Sequence, residues 1–209
     1  VPLPAVHFAG HLMDQWFYGL SVTAPFGLAT EYGKNSRFRY FATLSEVKVV
    51  DVNPNLAYKL NNQWSFGAGV SMQYVKATLS RQVDQSFLPS ADGQAKNIGD
   101  SYGYGYNFGA LYQPTEATRV GLAFRSKVKH NLDGDIKFKN INPILAIGAG
   151  ARNQDLKTSV TLPEVLSISA FQTLNSDWDI MGDLTYTNWH RFKKLVIKYP
   201  DTNLATVRV

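Results

Sequence analysis

Catalysis needs nucleophiles, metal ligands or acid–base pairs at workable spacing, and this chain offers few. It has no cysteine, which excludes thiolate metal sites and a disulfide scaffold. Its four histidines, His7, His11, His130 and His190, show no metal-ligand spacing. His7 and His11 stand four apart, which would share a helical face, but they fall in strand-like sequence. No pattern brings a serine, a histidine and an acid together. Gly103-Tyr-Gly-Tyr-Asn-Phe-Gly109 alternates glycine and aromatic and does not have the form of a phosphate loop. The sequence thus implies no catalytic residue, no metal and no cofactor. What remains is binding chemistry. The cations Arg81, Arg125, Lys127 and Lys129 could meet an anionic group. Phe87, Leu88 and Pro89, with Ile141, Pro143, Ile144 and Leu145, place greasy side chains in loop-like sequence, where an exposed apolar groove could capture a ligand. What any of them does depends on the elements that aim them.

The clearest element is Trp64-Ser-Phe-Gly-Ala-Gly-Val-Ser-Met-Gln-Tyr74. Trp64, Phe66, Ala68, Val70, Met72 and Tyr74 alternate with Ser65, Gly67, Gly69, Ser71 and Gln73, the period of a strand with one apolar and one polar face. An aromatic closes each end of the apolar row. Ten steps of roughly 3.3 Å, tilted about 40°, rise ~25 Å, the height of the lipid-facing band of an outer-membrane barrel with its two aromatic girdles. The apolar face is therefore expected to meet lipid and the polar face a lumen.

The same alternation recurs along the chain. It predicts about eight antiparallel strands near 4–12, 16–26, 41–60, 64–82, 101–113, 118–137, 157–173 and 178–197. Short polar turns at 13–15, 61–63, 113–116 and 175–177 alternate with long loops near 27–39, 83–100, 138–156 and 199–204, as periplasmic turns alternate with extracellular loops. Trp16, Tyr58, Trp64, Tyr112 and Trp178 would form the girdle at the turns, and Phe26, Tyr40, Tyr74 and Trp189 the one at the loops. Pro54 and Pro163 interrupt the pattern; a bulge at Pro163 would turn Glu164 inward. No run of eighteen apolar residues exists, so no transmembrane helix is available. The net charge of +5 is scattered among strands rather than clustered, which argues against nucleic acid. The expected fold class is all-β: an antiparallel up-and-down transmembrane β-barrel in the outer membrane.

Phe26-Gly-Leu-Ala-Thr-Glu-Tyr32, Asn55-Leu-Ala-Tyr-Lys-Leu-Asn-Asn-Gln-Trp-Ser-Phe-Gly67 and Tyr104-Gly-Tyr-Asn-Phe-Gly-Ala-Leu-Tyr112 together resemble the FadL outer-membrane transport family. So do Phe124-Arg-Ser-Lys-Val-Lys129, Leu162-Pro-Glu164 and Leu184-Thr-Tyr-Thr-Asn-Trp189. The resemblance implies a monomeric fourteen-stranded barrel whose N-terminal hatch plugs the lumen. It implies passive inward carriage of long-chain fatty acids or monoaromatic hydrocarbons, from a loop groove to a lumen pocket and out through a gap in the wall. Residues 1–209 then read as a single barrel segment, about eight of the fourteen strands, without the hatch and without the C-terminal strands. Its partners would be a hydrophobic small molecule and outer-membrane lipid and lipopolysaccharide, with no nucleic acid.

The resemblance also gives the candidates roles. Arg81, in phase with Ser71 and Gln73 and seventeen residues after Trp64, looks like a family arginine lining the ligand pocket; otherwise it is a solvated rim residue. Arg125, Lys127 and Lys129 are expected at successive inward positions. They would contact ligand or form a charge ladder with Asp51 and Asp183. The stretch Pro25-Phe-Gly-Leu28 corresponds to an inward kink that opens the family's wall, and Pro25 and Gly27 supply the physical means; otherwise the strand simply ends. Lys48, Lys76 and Lys194 would sit above the lipid band, against lipopolysaccharide phosphates or solvent. A general diffusion porin would favour charges on a constriction loop, and a membrane hydrolase a Ser/His or Asp/His cluster. A soluble sandwich would bury Trp64, Val70, Tyr104 and Leu122 together.

Overall fold

The computed structural model describes residues 5–148, 151–191, 196–198 and 207–208. Eleven strands share one sheet: β1 (Val6–Met13), β2 (Trp16–Thr23), β3 (Gly27–Glu31), β4 (Leu44–Lys59), β5 (Trp64–Val83), β6 (Gly93–Thr115), β7 (Thr118–Arg125), β8 (Val128–Lys139), β9 (Gln154–Leu162), β10 (Val165–Thr173) and β11 (Asp179–Thr187). A six-residue helix, α1 (Pro143–Gly148), lies in the β8–β9 connection, and Trp189–Arg191 form a 3-10 turn. A separate two-stranded pair, Val196–Ile197 with Val207–Arg208, is joined to β9 by the backbone bridge between Lys198 and Lys157. The wall runs β1-β2-β4-β5-β6-β7-β10-β11, eight antiparallel strands in up-and-down order.

Two of the hairpin turns on one side are built alike. At Leu60–Trp64 and again at Leu174–Trp178, the leucine N–H donates to the tryptophan carbonyl at 2.9 Å in both. In each, the asparagine that follows the leucine accepts two backbone N–H bonds through Oδ1: Asn61 from Gln63 and Trp64, Asn175 from Asp177 and Trp178. Such side-chain mimicry of a turn is why Leu-Asn-x-x-Trp ends a strand and restarts the next with an aromatic. Aromatics pair across the ladder: Trp64 stacks on Tyr112 at 4.3 Å and Trp16 packs tilted against Tyr58 at 4.8 Å between ring centroids. The turn-side girdle is thereby assembled.

The faces are inside-out for a soluble protein. Val70 is 60%, Tyr104 72% and Leu122 48% exposed, while Asp51, Ser71, Gln73 and His130 are buried. The apolar row looks out, as the alternation predicted. Pro54 leaves the β2–β4 register intact but interrupts pairing between β4 and β5, which resumes at Asn55 with no residue inserted. The side chain of Asn53 donates to the carbonyl of Val70 beside the break, at 2.9 Å.

Several expected bounds change: the strand at 16–26 ends at Thr23, the loop at 27–39 holds β3, and the strand at 178–197 ends at Thr187. The strand at 101–113 is the lower half of the 23-residue β6. The strand at 118–137 is two strands, β7 and β8, and that at 157–173 is also two, β9 and β10, broken at Pro163–Glu164. At the first break, Ser126 replaces a ladder residue with itself: its N–H donates to Tyr106 O, and its Oγ accepts from Tyr106 N–H, both at 2.9 Å. The chain then crosses the inner face of β6 before rejoining its edge at Asp133, opposite Asp100. Gly103 and Gly105 permit the crossing. A Cβ at Gly103 would lie 2.6 Å from the His130 ring, and one at Gly105 2.8 Å from Val128.

The upper half is consequently two layers thick. Val49 and Val75 of the wall bury against Leu132 and Leu162 of the β8–β9 hairpin, with Ala95, Ile136, Leu156 and Ile197 forming a second cluster. The lower half, β1-β2-β4-β5-β6-β7-β10-β11, is a single curved wall.

Candidate functional site

Along the inner face the chemistry changes within single strands. Below, β4, β5 and β6 present Asn53, Asn55, Ser71, Gln73 and Asn107; above, the same strands present Val47, Val49, Val75, Ala77 and Leu79. The border is the cross-strand row Asp51–Gln73–Gly103, roofed by His130. Asp51 accepts from Ser71 Oγ at 2.7 Å, and Gln73 Oε1 lies 3.4 Å from His130 Nε2.

A cavity lies on each side of the border. The upper one, about 90 Å³, is lined almost wholly by apolar groups from Val47, Val75, Leu79, Leu132, Leu156 and Leu162, among others. The lower one, about 560 Å³, mixes Pro25, Phe26, Ala123 and Val165 with Asn55, Asn107, Ser167, Thr187 and Arg125. A further depression on the outer face, among Trp16, Leu56, Tyr58, Phe66 and Leu122, belongs to the lipid-facing surface.

Phe26 lies beside the border between the two cavities, lining the lower one and packing on the cluster that walls the upper one. The β2–β4 register ends at Thr23 opposite Asp51, and β3 resumes at Gly27 opposite Lys48, so Ala24, Pro25 and Phe26 face only Val49 and Val50. The extra residue is a bulge, and Pro25 cannot donate to the ladder. Pro25 and Phe26 thus line the lower cavity, while Phe26 also packs on the Val49–Val75–Leu132–Leu162 cluster. Gly27 and Leu28 lie in the resumed strand.

Opposite stands Trp189, whose ring meets that of Phe26 edge-on at 6.1 Å. This corrects the expected loop-side girdle: Phe26 and Trp189 face one another across the interior, and Tyr74 with Tyr102, centroids 5.1 Å apart, represent that girdle outside. Trp189 is held from the second strand break. Glu164 accepts from Arg191 Nε at 3.2 Å and Nη2 at 3.1 Å, and from Asn188 Nδ2 at 2.7 Å. The Arg191 hydrogen bonds, with that of Asn188, hold the Glu164 carboxyl down to about 2.

The other candidates separate. Arg125 ends β7 on the inner face, half-buried in the lower cavity. Lys127 and Lys129 do not continue its row. The break at Ser126 rotates the chain so that Ser126, Val128 and His130 are buried and the two lysines exposed. The expected ladder with Asp51 and Asp183 does not form: among the described residues no ion pair joins these groups. Arg81 is exposed, opposite Ala95 on the inner face near the second apolar cluster. Lys48 pairs with Glu46 at 2.7 Å and sits across from Lys76; Lys194 lies outside the described residues.

The two apolar loops are joined at their base. Gln85, wholly buried, donates through Nε2 to Ala91 O at 2.7 Å and Asn140 O at 2.8 Å, and its Oε1 accepts from Asn142 N–H at 2.7 Å. Above this clamp, Phe87 and Ile144 are 68% and 65% exposed, whereas Leu88 and Leu145 are half-buried. The polar clamp at Gln85 and the aromatic brace at Trp189 had no marker in the sequence pattern, because both join residues far apart in the chain.

The protein family described as outer membrane protein transport protein (OMPP1/FadL/TodX) matches residues 2–208. The chain belongs to this family. The long-chain fatty acid transport protein of Escherichia coli O6:H1 is 32% identical over 94% of this chain and 50% of its own length. A crystal structure of a Pseudomonas aeruginosa FadL homologue superposes with a TM-score of 0.85 at 22% identity, covering 99% of this chain and 53% of that one. The Ralstonia pickettii toluene transporter TbuX superposes at 0.73 with 18% identity, covering 97% and 60%. The chain spans about half the length of the curated relatives it matches. The matched family is described as an outer-membrane transport family, and the open eight-strand wall is the partial β-barrel expected at that coverage.

Proposed function

We propose that this chain contributes the ligand path of a monomeric outer-membrane channel for passive uptake of hydrophobic molecules, chiefly long-chain fatty acids. The supporting observation is the upper cavity, a dry apolar pocket inside a barrel whose lower inner face is polar. A general porin has no use for such a pocket, because a hydrophilic solute gains nothing from it. In this reading Phe87, Leu88, Ile144 and Leu145 capture the ligand at the loops and Arg81 meets its head group at the rim. Arg125 offers a second guanidinium below, and Lys127 adds long-range attraction for an anion. The wall break at Pro25 and Phe26, with Gly27 and Leu28 re-entering the ladder after it, is the side exit. Lys48 and Lys76 rest near lipopolysaccharide phosphates.

The small upper volume supports a second reading. A pocket of about 90 Å³ suits one aromatic ring better than a long chain, so monoaromatic hydrocarbons are the alternative cargo. Saturable uptake of labelled oleate and labelled toluene by cells carrying the full chain separates the two. Arg81→Ala should weaken oleate binding about ten-fold, the worth of one charge-assisted hydrogen bond, and leave toluene unchanged. Equal oleate affinity in a folded Arg81→Ala protein would remove that role.

A further inference from the structure

We propose that Phe26 is the selectivity element between the two cavities, and that Trp189, positioned by the Glu164–Arg191 pair, sets how far it closes. The inference rests on the transport reading above and names the internal barrier of that path.

Three observations converge on it. Phe26 lines the lower cavity and packs from that side on the cluster that walls the upper one. It is carried by an unpaired three-residue bulge, so its backbone is not fixed by ladder hydrogen bonds on both sides. Its ring rests on Trp189, which comes from the opposite wall and belongs to no strand. A ring held by another ring can yield to an apolar ligand, which replaces the contact it displaces. A hydrated ion replaces nothing, so the partition passes grease and resists salt.

The brace is electrostatic and lies away from the path. Glu164 sits where Pro163 ends β9, and Pro163 has no N–H for the ladder. Its carboxylate takes both Arg191 and Asn188, and its backbone carbonyl accepts from Asn188 N–H at 3.1 Å. The 3-10 turn that carries Trp189 is therefore tied at its start and at its end to one residue. Glu164 and Arg191 are positioning residues: neither lines the lower cavity.

The test uses the full chain in two assays: ion conductance in planar bilayers, and uptake of labelled oleate and labelled toluene by cells. Phe26→Ala and Trp189→Ala should each raise ion conductance by roughly two- to ten-fold, the shift in an opening equilibrium when one ring contact is lost. The double variant should add little to either. Phe26→Leu, which keeps the apolar bulk, should stay near the parent. Glu164→Gln should also raise conductance, and the charge exchange Glu164→Arg with Arg191→Glu should bring it back, a rescue that general damage to folding would not show. Unchanged conductance in folded Phe26→Ala and Trp189→Ala proteins would overturn the proposal, as would fully additive effects. If the parent carries neither oleate nor toluene above cells lacking it, yet the conductance pattern holds, the transport reading fails and the partition stands.

Discussion

The lower wall and the upper two-layer region use the same strands with opposite rules. In β5, Trp64 to Tyr74 is apolar outward and polar inward, whereas Val75, Ala77 and Leu79 turn the inward set apolar. The switch occurs where a second layer arrives. Below it, the outer face relies on lipid and the inner face on water or ligand. Above it, β8 and β9 supply side chains that no lipid could, and a dry core forms. Alternation therefore fixes which residues share a face, but what that face meets is decided by the neighbouring layer.

The largest expected effect tests the upper core. Leu132→Ala removes a buried side chain from a packed cluster and should cost about 2–5 kcal/mol in unfolding from lipid vesicles. Val70→Ala on the outer face should cost well below that, because lipid fills the space the methyls leave. A comparable loss at both positions would mean that both are dry protein interior. The reverse experiment is Val70→Arg, expected to cost about 2–4 kcal/mol near the middle of the lipid band. A neutral Val70→Arg would break the assignment of that face.

Much of this could be read from the residues themselves. The strands with clean dyads, Trp64–Tyr74 and Tyr102–Tyr112, carried both the number of wall strands and the outward face, because a period of two survives wherever pairing is regular. The breaks were less visible. Pro163 announced one, but Ser126 resembles any strand serine, and only its exchange of bonds with Tyr106 ends β7. That single residue moved Lys127 and Lys129 out of the row that Arg125 begins. Phe26 and Trp189 look like interface aromatics by composition. A bulge and a 3-10 turn, neither periodic, turned them toward each other. The pairing break at Ala24–Phe26 was accessible because proline marks a backbone exception locally, whereas Gln85 joins loops 55 and 57 residues away.

The smallest expected effect lies at the junction of the two regions and depends on pH. Glu164 stands in the strand break above β10, and its carboxyl is held near 2 rather than the ordinary 4.5. A folded-state value below the unfolded one means that the ionised contact contributes fully above about 4.5 and is lost as the pH falls from there toward about 2. Trp189 should loosen over that window and not above it, since its brace is the carboxylate. Tryptophan fluorescence of the full chain, with Trp189→Phe subtracted to isolate this ring, should shift between those values. In Glu164→Gln the signal should already sit at its acid position at neutral pH and no longer respond. A transition that persists in Glu164→Gln would assign the response to another group and detach Trp189 from the junction.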